Sequence, residues 1–262
     1  DEGKPKVTLS SNFGWQTYTI MPQFVSAYEH AMLMNEGIDN EGIGKEKMPD
    51  FALEAYRTGS NPVIYPDTDW VDAMLKKAAP QQQYNVNVSG GTEKVKYFVS
   101  FGMLHQEGIY KDYAMEGVNY SINPDYKRYN FRANVDAELI KGLTLKLRLG
   151  TTFTHGNYAG LSTASIFSNL LNTTPYGMTS VNGRFFTGYV GDDPITGIRK
   201  NVNPIYTLYE SGYQINNTTK YNLSAELGYD LSFITKGLRV SAKVAYDDLG
   251  NYVKKYAPGS LP

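Results

Sequence analysis

The sequence predicts an all-β fold: an antiparallel sheet of about seven strands, interrupted by two long connections that contain helices. Three observations predict it. In "YNFRANVDAEL", Tyr129, Phe131, Ala133, Val135, Ala137 and Leu139 are aromatic, small or apolar. Asn130, Arg132, Asn134, Asp136 and Glu138 between them are polar or charged. A period of two sends successive side chains to opposite faces, which is a strand signature. Runs of this kind last about ten to twelve residues, whereas mean strands in soluble domains have about five or six. Aromatic residues reach 13%, with 22 Tyr, and aromatic residues favour strands.

The elements follow in order. "PKVTLSSNFGWQTYT" alternates through Val7, Leu9, Ser11, Phe13 and Trp15, giving a first strand over 5–19. A connection over 20–81 then changes period. Ser26 and Glu29 stand at capping-box spacing, followed by Ala27, Ala31, Met34 and Ile38 at helical spacing. Asp50 and Asp69 read as N-caps of two shorter helices, "DFALEAYRTG" and "DWVDAMLKKAA". Alternation returns in strands over 82–90 and 94–106, joined across "GGTEK". The opening stretch lies in a strand over 126–140. "KG" turns it into a strand over 143–155, with Leu143, Leu145, Leu147, Leu149 and Phe153 on one face. A second long connection, 157–217, carries a helix pattern at "TASIFSNLL". Strands over 219–233 and 238–250 close the chain as a hairpin across "ITKG".

Composition bounds the function. The formal net charge is −1 over 262 residues, without the basic excess of a nucleic-acid partner. There is no Cys, which removes disulfide and thiolate chemistry. "DEGKPKV" has neither the apolar core nor the cleavage pattern of a signal peptide. No run approaches the roughly 18 apolar residues of a membrane helix, but barrel strands carry a much weaker signal. His30, His105 and His155 are far apart and have no ligand spacing, so no metal is expected. "GDDPITG", with Asp192 and Asp193, lacks the spacing of a calcium loop and reads as a solvated turn. "SGGT" lacks the Lys of a phosphate loop and reads as a hairpin turn. No nucleophile and base pair off, so neither an enzyme nor a cofactor is expected.

The remaining question is what the two faces meet. A soluble antiparallel sheet would put a core on one face and water on the other. A membrane barrel would put lipid on one face and a wet lumen on the other. The connections alternate long and short, so the short turns share one end of the sheet and the long connections the other. Outer-membrane barrels have this asymmetry. The candidate lumen face carries Asn130, Arg132, Asn134, Asp136, Glu138, Lys146, Arg148, Glu226, Arg239 and Lys243. The opposite face stays apolar along whole strands, with Tyr or Phe towards its ends, as in aromatic girdles. These features favour the barrel without excluding the soluble sheet. In the long connections, Tyr65, Trp70, Tyr158, Tyr176, Phe185, Phe186 and Tyr189 are candidates for touching a substrate or partner; packing within the loops is the competing role of each.

"QYNVNVSGGTEKVKYFVSFGMLHQEGIY" and "YKRYNFRANVDAEL" resemble the SusC/RagA family of TonB-dependent outer-membrane transporters from Bacteroidetes. "GKPKVTLSSNFGWQ" is similar to the family's first barrel strand, and "LSAELGYDLSFITKGLRVSAKVAYD" to a later hairpin. The resemblance implies a multi-pass barrel in the bacterial outer membrane. It implies active import of oligosaccharides or peptides, with a SusD-like surface lipoprotein and TonB as partners. Family members are several times longer, so residues 1–262 are expected to be a partial barrel domain without the plug. A passive porin, a barrel adhesin and a soluble all-β binding module are the alternatives.

Overall fold

The computed structural model describes residues 3–42, 44, 46–181, 184, 185, 188–192 and 199–258, without the side chains of 181, 188–192 and 199–202. Its main sheet has seven strands, each hydrogen-bonded to the strand before it in the sheet order β1-β2-β3-β4-β5-β10-β11. They are β1 (Gly3–Gln16), β2 (Ala79–Gly91), β3 (Val95–Glu107), β4 (Asp125–Ile140), β5 (Leu143–Ala159), β10 (Tyr213–Asp230) and β11 (Arg239–Tyr256). Every pairing is antiparallel, so the sheet is an up-and-down meander. Among the described residues no strand pairs beyond its outer edges, β1 and β11.

Three tight turns share one end. At Thr92–Lys94, the Thr92 amide donates to the Val95 carbonyl at 2.7 Å. At Lys141–Gly142, Gly142 takes φ +82°, which an L side chain rarely adopts, and its amide donates to Glu138 Oε1 at 3.0 Å. The third turn is closed by the Leu231 amide on the Leu238 carbonyl at 2.9 Å.

The strand ends differ from the sequence reading. β5 continues to Ala159, β10 starts at Tyr213 rather than 219, and β11 runs on to Tyr256. Asn216, Asn217, Thr218 and Asn251 put polar groups on both faces there, so alternation fades while the backbone ladder continues. β1 ends at Gln16 and β10 at Asp230, both three residues before the expected 19 and 233.

The first long connection holds α1 (Ala27–Glu41), α2 (Asp50–Thr58) and α3 (Trp70–Met74). The Ser26 capping box is present in full: the Ser26 hydroxyl accepts from the Glu29 amide, and the Glu29 carboxylate accepts from the Ser26 amide. α1 buries Ala27 and Ala31, while Met34 of the expected stripe is exposed. Asp69 caps α3, accepting from the Asp72 amide at 3.0 Å. α3 is shorter than its pattern, because the chain turns into an isolated bridge between Leu75 and Tyr110. Asp50 is not the cap of α2 but its first residue; Pro49 holds the cap position, with no side-chain bond.

The second connection holds α4 (Thr163–Asn172), two short ribbons and α5 (Pro204–Glu210). The ribbons pair β6 (Ser180–Val181) with β7 (Arg184–Phe185), and β8 (Gly188–Asp192) with β9 (Arg199–Val202). α5 was absent from the sequence reading; its Asn203 cap accepts from the Ile205 and Tyr206 amides, with Pro204 in the first turn.

The buried core lies in these connections and in the one between β3 and β4, and meets the sheet only at Ala79 and Ala159 among the described residues. Trp70, Met74 and Leu75 pack with Tyr110, Ile122, Ile166, Leu170, Ile205 and Leu208 over the end of β5. A second cluster joins Ala27, Ala31, Met48, Ala52 and Tyr56. The apolar face of the sheet is uncovered: Leu9 and Val244 are 73% exposed and Leu147 42%. Among the described residues there is no second layer, which a soluble sandwich would need. No helix among them is long and apolar enough to cross a membrane, which says nothing of strands.

Candidate functional site: the two faces of the sheet and the loop cap

Directly opposed residues of an antiparallel pair share a face. Asp136 opposes Lys146, Lys146 opposes Glu226, and Glu226 opposes Lys243. Charge therefore alternates in one row across four strands. The next row on that face runs Asn134, Arg148, Ser224, Ala245, and the row after it Ser100, Arg132, Gly150, Asn222, Asp247. By the same registers Asn130, Arg132, Asn134, Asp136, Glu138, Lys146, Arg148, Glu226, Arg239 and Lys243 all stand on one face. Lys146 Nζ lies 3.0 Å from Glu226 Oε1. Arg148 Nη1 lies 2.5 Å from Asp136 Oδ1, a charge contact without hydrogen-bond angles, and also donates to the Val135 carbonyl at 3.1 Å. Asn130 accepts from Thr152 at 3.1 Å, and Arg239 donates to Thr144 at 3.2 Å. Over Gly150 and Ser224 the side chains leave a shallow depression of about 340 Å³, bordered by Arg132, Arg148 and Lys243. Cross-strand pairs of opposite charge contribute about 0.2–1 kcal/mol each, so this lattice orients charge more than it stabilises the sheet.

The other face is apolar over a bounded height. On β5 it runs from Leu143 to Phe153. Ten steps of about 3.3 Å, tilted about 40°, span about 25 Å, the height of the apolar band of a membrane barrel. Aromatic rings cross its upper margin: Phe13 meets Tyr84 at 5.6 Å, and Tyr129 meets Phe101 at 6.4 Å and Phe153 at 6.2 Å. Above the rings, the same face turns polar. His105, Lys127 and His155 form one row, with Asp125 3.0 Å from Lys127 Nζ and 2.8 Å from His105 Nε2. At the turn end, Tyr229 packs on Phe233 at 6.1 Å.

The aromatic residues of the connections are not gathered into one site. Trp70 is 5% exposed, and its indole N–H donates to the Thr174 carbonyl at 2.8 Å, tying the two connections together. Tyr176 stacks edge-on against His30 at 5.2 Å and bonds its Nδ1 at 2.8 Å. Burial holds the Tyr176 phenol well above the usual tyrosine range and the His30 imidazole below its own. Tyr65 packs on Tyr56 at 5.4 Å, and Phe185 on Tyr113 at 5.2 Å. Tyr158 lies half-buried against Gly156, where a Cβ would come within 2.4 Å of its ring. Phe186 and Asp193 lie outside the described residues, as do the side chains of Tyr189 and Asp192. Phe24, Val25 and Leu171, half-exposed at the mouth of a cavity beside Trp70, were missed. The apolar pair just before the Ser26 cap and, for Leu171, the helix pattern "TASIFSNLL" were their signals in the sequence.

A meander of long strands, uncovered and apolar on one face and charged on the other, with loops massed at one end, is a stretch of transmembrane-type barrel wall. Comparison with known proteins agrees. The chain is 27% identical over 150 residues to a TonB-dependent receptor of Formosa agariphila, a match covering 57% of this chain and 13% of that protein. It superposes on the RagAB peptide importer in its closed-closed state with a TM-score of 0.65, at 16% identity, over 97% of this chain and 29% of that one. For the open-open state the TM-score is 0.64, at 16% identity, over 96% and 28%. No model of a known protein family matches. Over the part that it covers, the chain is thus similar in sequence to a TonB-dependent receptor and in fold to the RagAB peptide importer.

Proposed function

We propose that this chain is wall and outer loops of an outer-membrane, TonB-dependent importer of oligosaccharides or peptides, working with a SusD-like lipoprotein. The observation that carries the reading is the bounded apolar band, about 25 Å tall, backed by a continuous lattice of charges. The band meets lipid. Asn130, Arg132, Asn134, Asp136, Glu138, Lys146, Arg148, Glu226, Arg239 and Lys243 line the lumen and keep it wet. The edges of β1 and β11 continue into the rest of the barrel, since unpaired backbone groups are not tolerated in lipid. The long connections lie outside the cell, where loops on a rigid scaffold carry recognition. Trp70 and Tyr176 act there by holding the two connections together. The reading is of a transporter and not an enzyme.

Uptake by cells carrying the full-length transporter tests it. Removing TonB or collapsing the proton gradient should abolish uptake of oligosaccharide or peptide while the barrel remains in the membrane. Uptake that persists would make the protein a passive porin. A chain that folds as a monomer in plain buffer would point instead to a soluble module.

A further inference from the structure

Along the charged face of the sheet, the balance of charge changes with height. Towards the turn end acids and bases interleave: Lys146 pairs with Glu226, and Arg148 with Asp136. From the row of Arg132 and Gly150 up to the strand tops, the same face carries four cations, Arg128, Arg132, Lys220 and Lys255. Among the described residues its one carboxylate at these heights is Asp247, which already accepts from the Asn222 amide. Glu107, Asp125 and Asp248 stand on the opposite face. None of the four cations has a hydrogen bond or ion pair with the described residues. Arg132, Lys220 and Lys255 are exposed; Arg128 is half-buried, its Nε covered. An excess of unpaired like charge weakens a compact fold, and such departures from local balance mark places where function uses them.

We infer that this upper wall binds an acidic oligosaccharide, whose carboxylate or sulfate groups are held by Arg128, Arg132, Lys220 and Lys255. At about 3.3 Å per residue, Arg128 and Arg132 stand about 13 Å apart along β4, and Lys220 lies two strands, about 10 Å, across. That spread suits a chain of several acidic units and not one small anion. Each Arg offers two parallel N–H donors to an acidic group. Rings and amides stand among the cations. Tyr126 opposes Gly156, and the Tyr158 ring lies over Gly156, so two aromatic side chains share the top of this wall. Gln106 beside Tyr126, and Gln83 one row lower, have no side-chain partner among the described residues. A sugar ring matches this mixture: its C–H face covers the apolar body of a tyrosine, and its hydroxyls both donate to and accept from amides. An acidic peptide pairs with the cations equally well but brings no ring face to the tyrosines. The assignment rests on the importer reading, because that reading makes this face the lumen.

The test is equilibrium binding to the purified full-length transporter in detergent at low salt. The probes are trigalacturonate, sulfated maltotriose, plain maltotriose and triglutamate. At least one acidic trisaccharide should bind at least about tenfold more tightly than maltotriose, an advantage that shrinks at high salt, and more tightly than triglutamate. Whichever of the two acidic trisaccharides binds better names the acidic group. Arg132→Gln and Lys220→Gln together should weaken that probe at least about tenfold and leave maltotriose unchanged. Lys254→Gln, whose lysine opposes Ile215 on the other face, should change neither. All variants should give wild-type yields of heat-resistant barrel. Maltotriose binding as tightly as the acidic probes, wild-type affinity in the double variant, or equal damage from Lys254→Gln would overturn the assignment. Tighter binding of triglutamate would overturn it in favour of an acidic peptide. A reduced barrel yield in the double variant would assign the cations to a carboxylate of the transporter itself. The comparison of probes and its salt dependence need no variant. None of these measurements needs TonB, so a failure of the importer reading registers separately, in the energy dependence of uptake.

Discussion

Replacing Leu147 by Arg puts a charge into the middle of the apolar band. Leu147 stands on β5, opposite Val135 on one side and Ala225 on the other, between the Leu143 and Phe153 margins. It is 42% exposed and belongs to neither buried cluster of the described residues. A guanidinium there has lipid as its only surroundings, at about 2–4 kcal/mol near the midplane. That is about 30- to 700-fold in the folding equilibrium. One residue further on, Arg148 points to the other face. Arg148→Gln gives up the contact with Asp136, a pair with both side chains more than a third exposed, worth about 0–1 kcal/mol. Asn134→Ser on the same face gives up still less. The assay is urea unfolding of the full-length transporter in lipid vesicles, read alongside the heat-resistant folded fraction. Leu147→Arg should move the midpoint strongly and the polar-face variants hardly at all. Comparable shifts from the two faces would refute the reasoning.

Three further outcomes are expected. Gly212→Ala should destabilise by more than about 1 kcal/mol, because Gly212 takes φ +71° and an added Cβ would lie 1.9 Å from the Tyr256 carbonyl oxygen; an unchanged unfolding midpoint would contradict this. An epitope at Gly191 should be reachable by antibody on intact cells, and one at Lys141–Gly142 only after permeabilisation; the reverse would invert the topology. Burial lowers the pKa of His30 below its ordinary 6.5, so its contribution is fully present above about pH 6.5 and fades as pH falls towards the lowered value. The protection factor of the Thr68 amide, whose N–H bonds the Pro175 carbonyl, should therefore fall on acidification once intrinsic exchange is divided out; His30→Gln should flatten that profile, and a wild-type protection factor already independent of pH would exclude His30 as the cause.

The sheet was legible because its alternation is long and clean. From Tyr129 to Leu139 each residue type names its face, and pairing with β5 in that register keeps Asp136 beside Lys146. The strand tops were not legible, because above the aromatic rings both faces are polar and periodicity carries no signal. α5 was missed for a different reason. Pro204 and the surrounding Tyr residues read as loop, whereas Pro in a first helical turn with an Asn cap is a helix start. The lattice of charges was readable as one face, though not as alternating pairs, since the pairing depends on register between strands far apart in sequence. The loop aromatics were legible only as rings. Which rings pack inward depends on tertiary contacts such as the bond from Trp70 to Thr174. The cavity beside them is built from segments more than a hundred residues apart, as the Thr68–Gly177 contact across it illustrates.

The central claim is that odd-numbered positions of β5 meet lipid and even-numbered positions meet a wet lumen. The chain has no Cys, so single cysteines introduced into it meet no background from its own residues once any cysteine elsewhere in the full-length transporter is replaced by Ser. Nitroxide labels at successive positions from Leu143 to Phe153 in the full-length transporter, reconstituted in vesicles, report oxygen and aqueous-quencher accessibility separately. Oxygen accessibility should peak at 143, 145, 147, 149, 151 and 153, and aqueous accessibility at 144, 146, 148, 150 and 152. A profile without period two, or one with the two quenchers exchanged, would contradict the account.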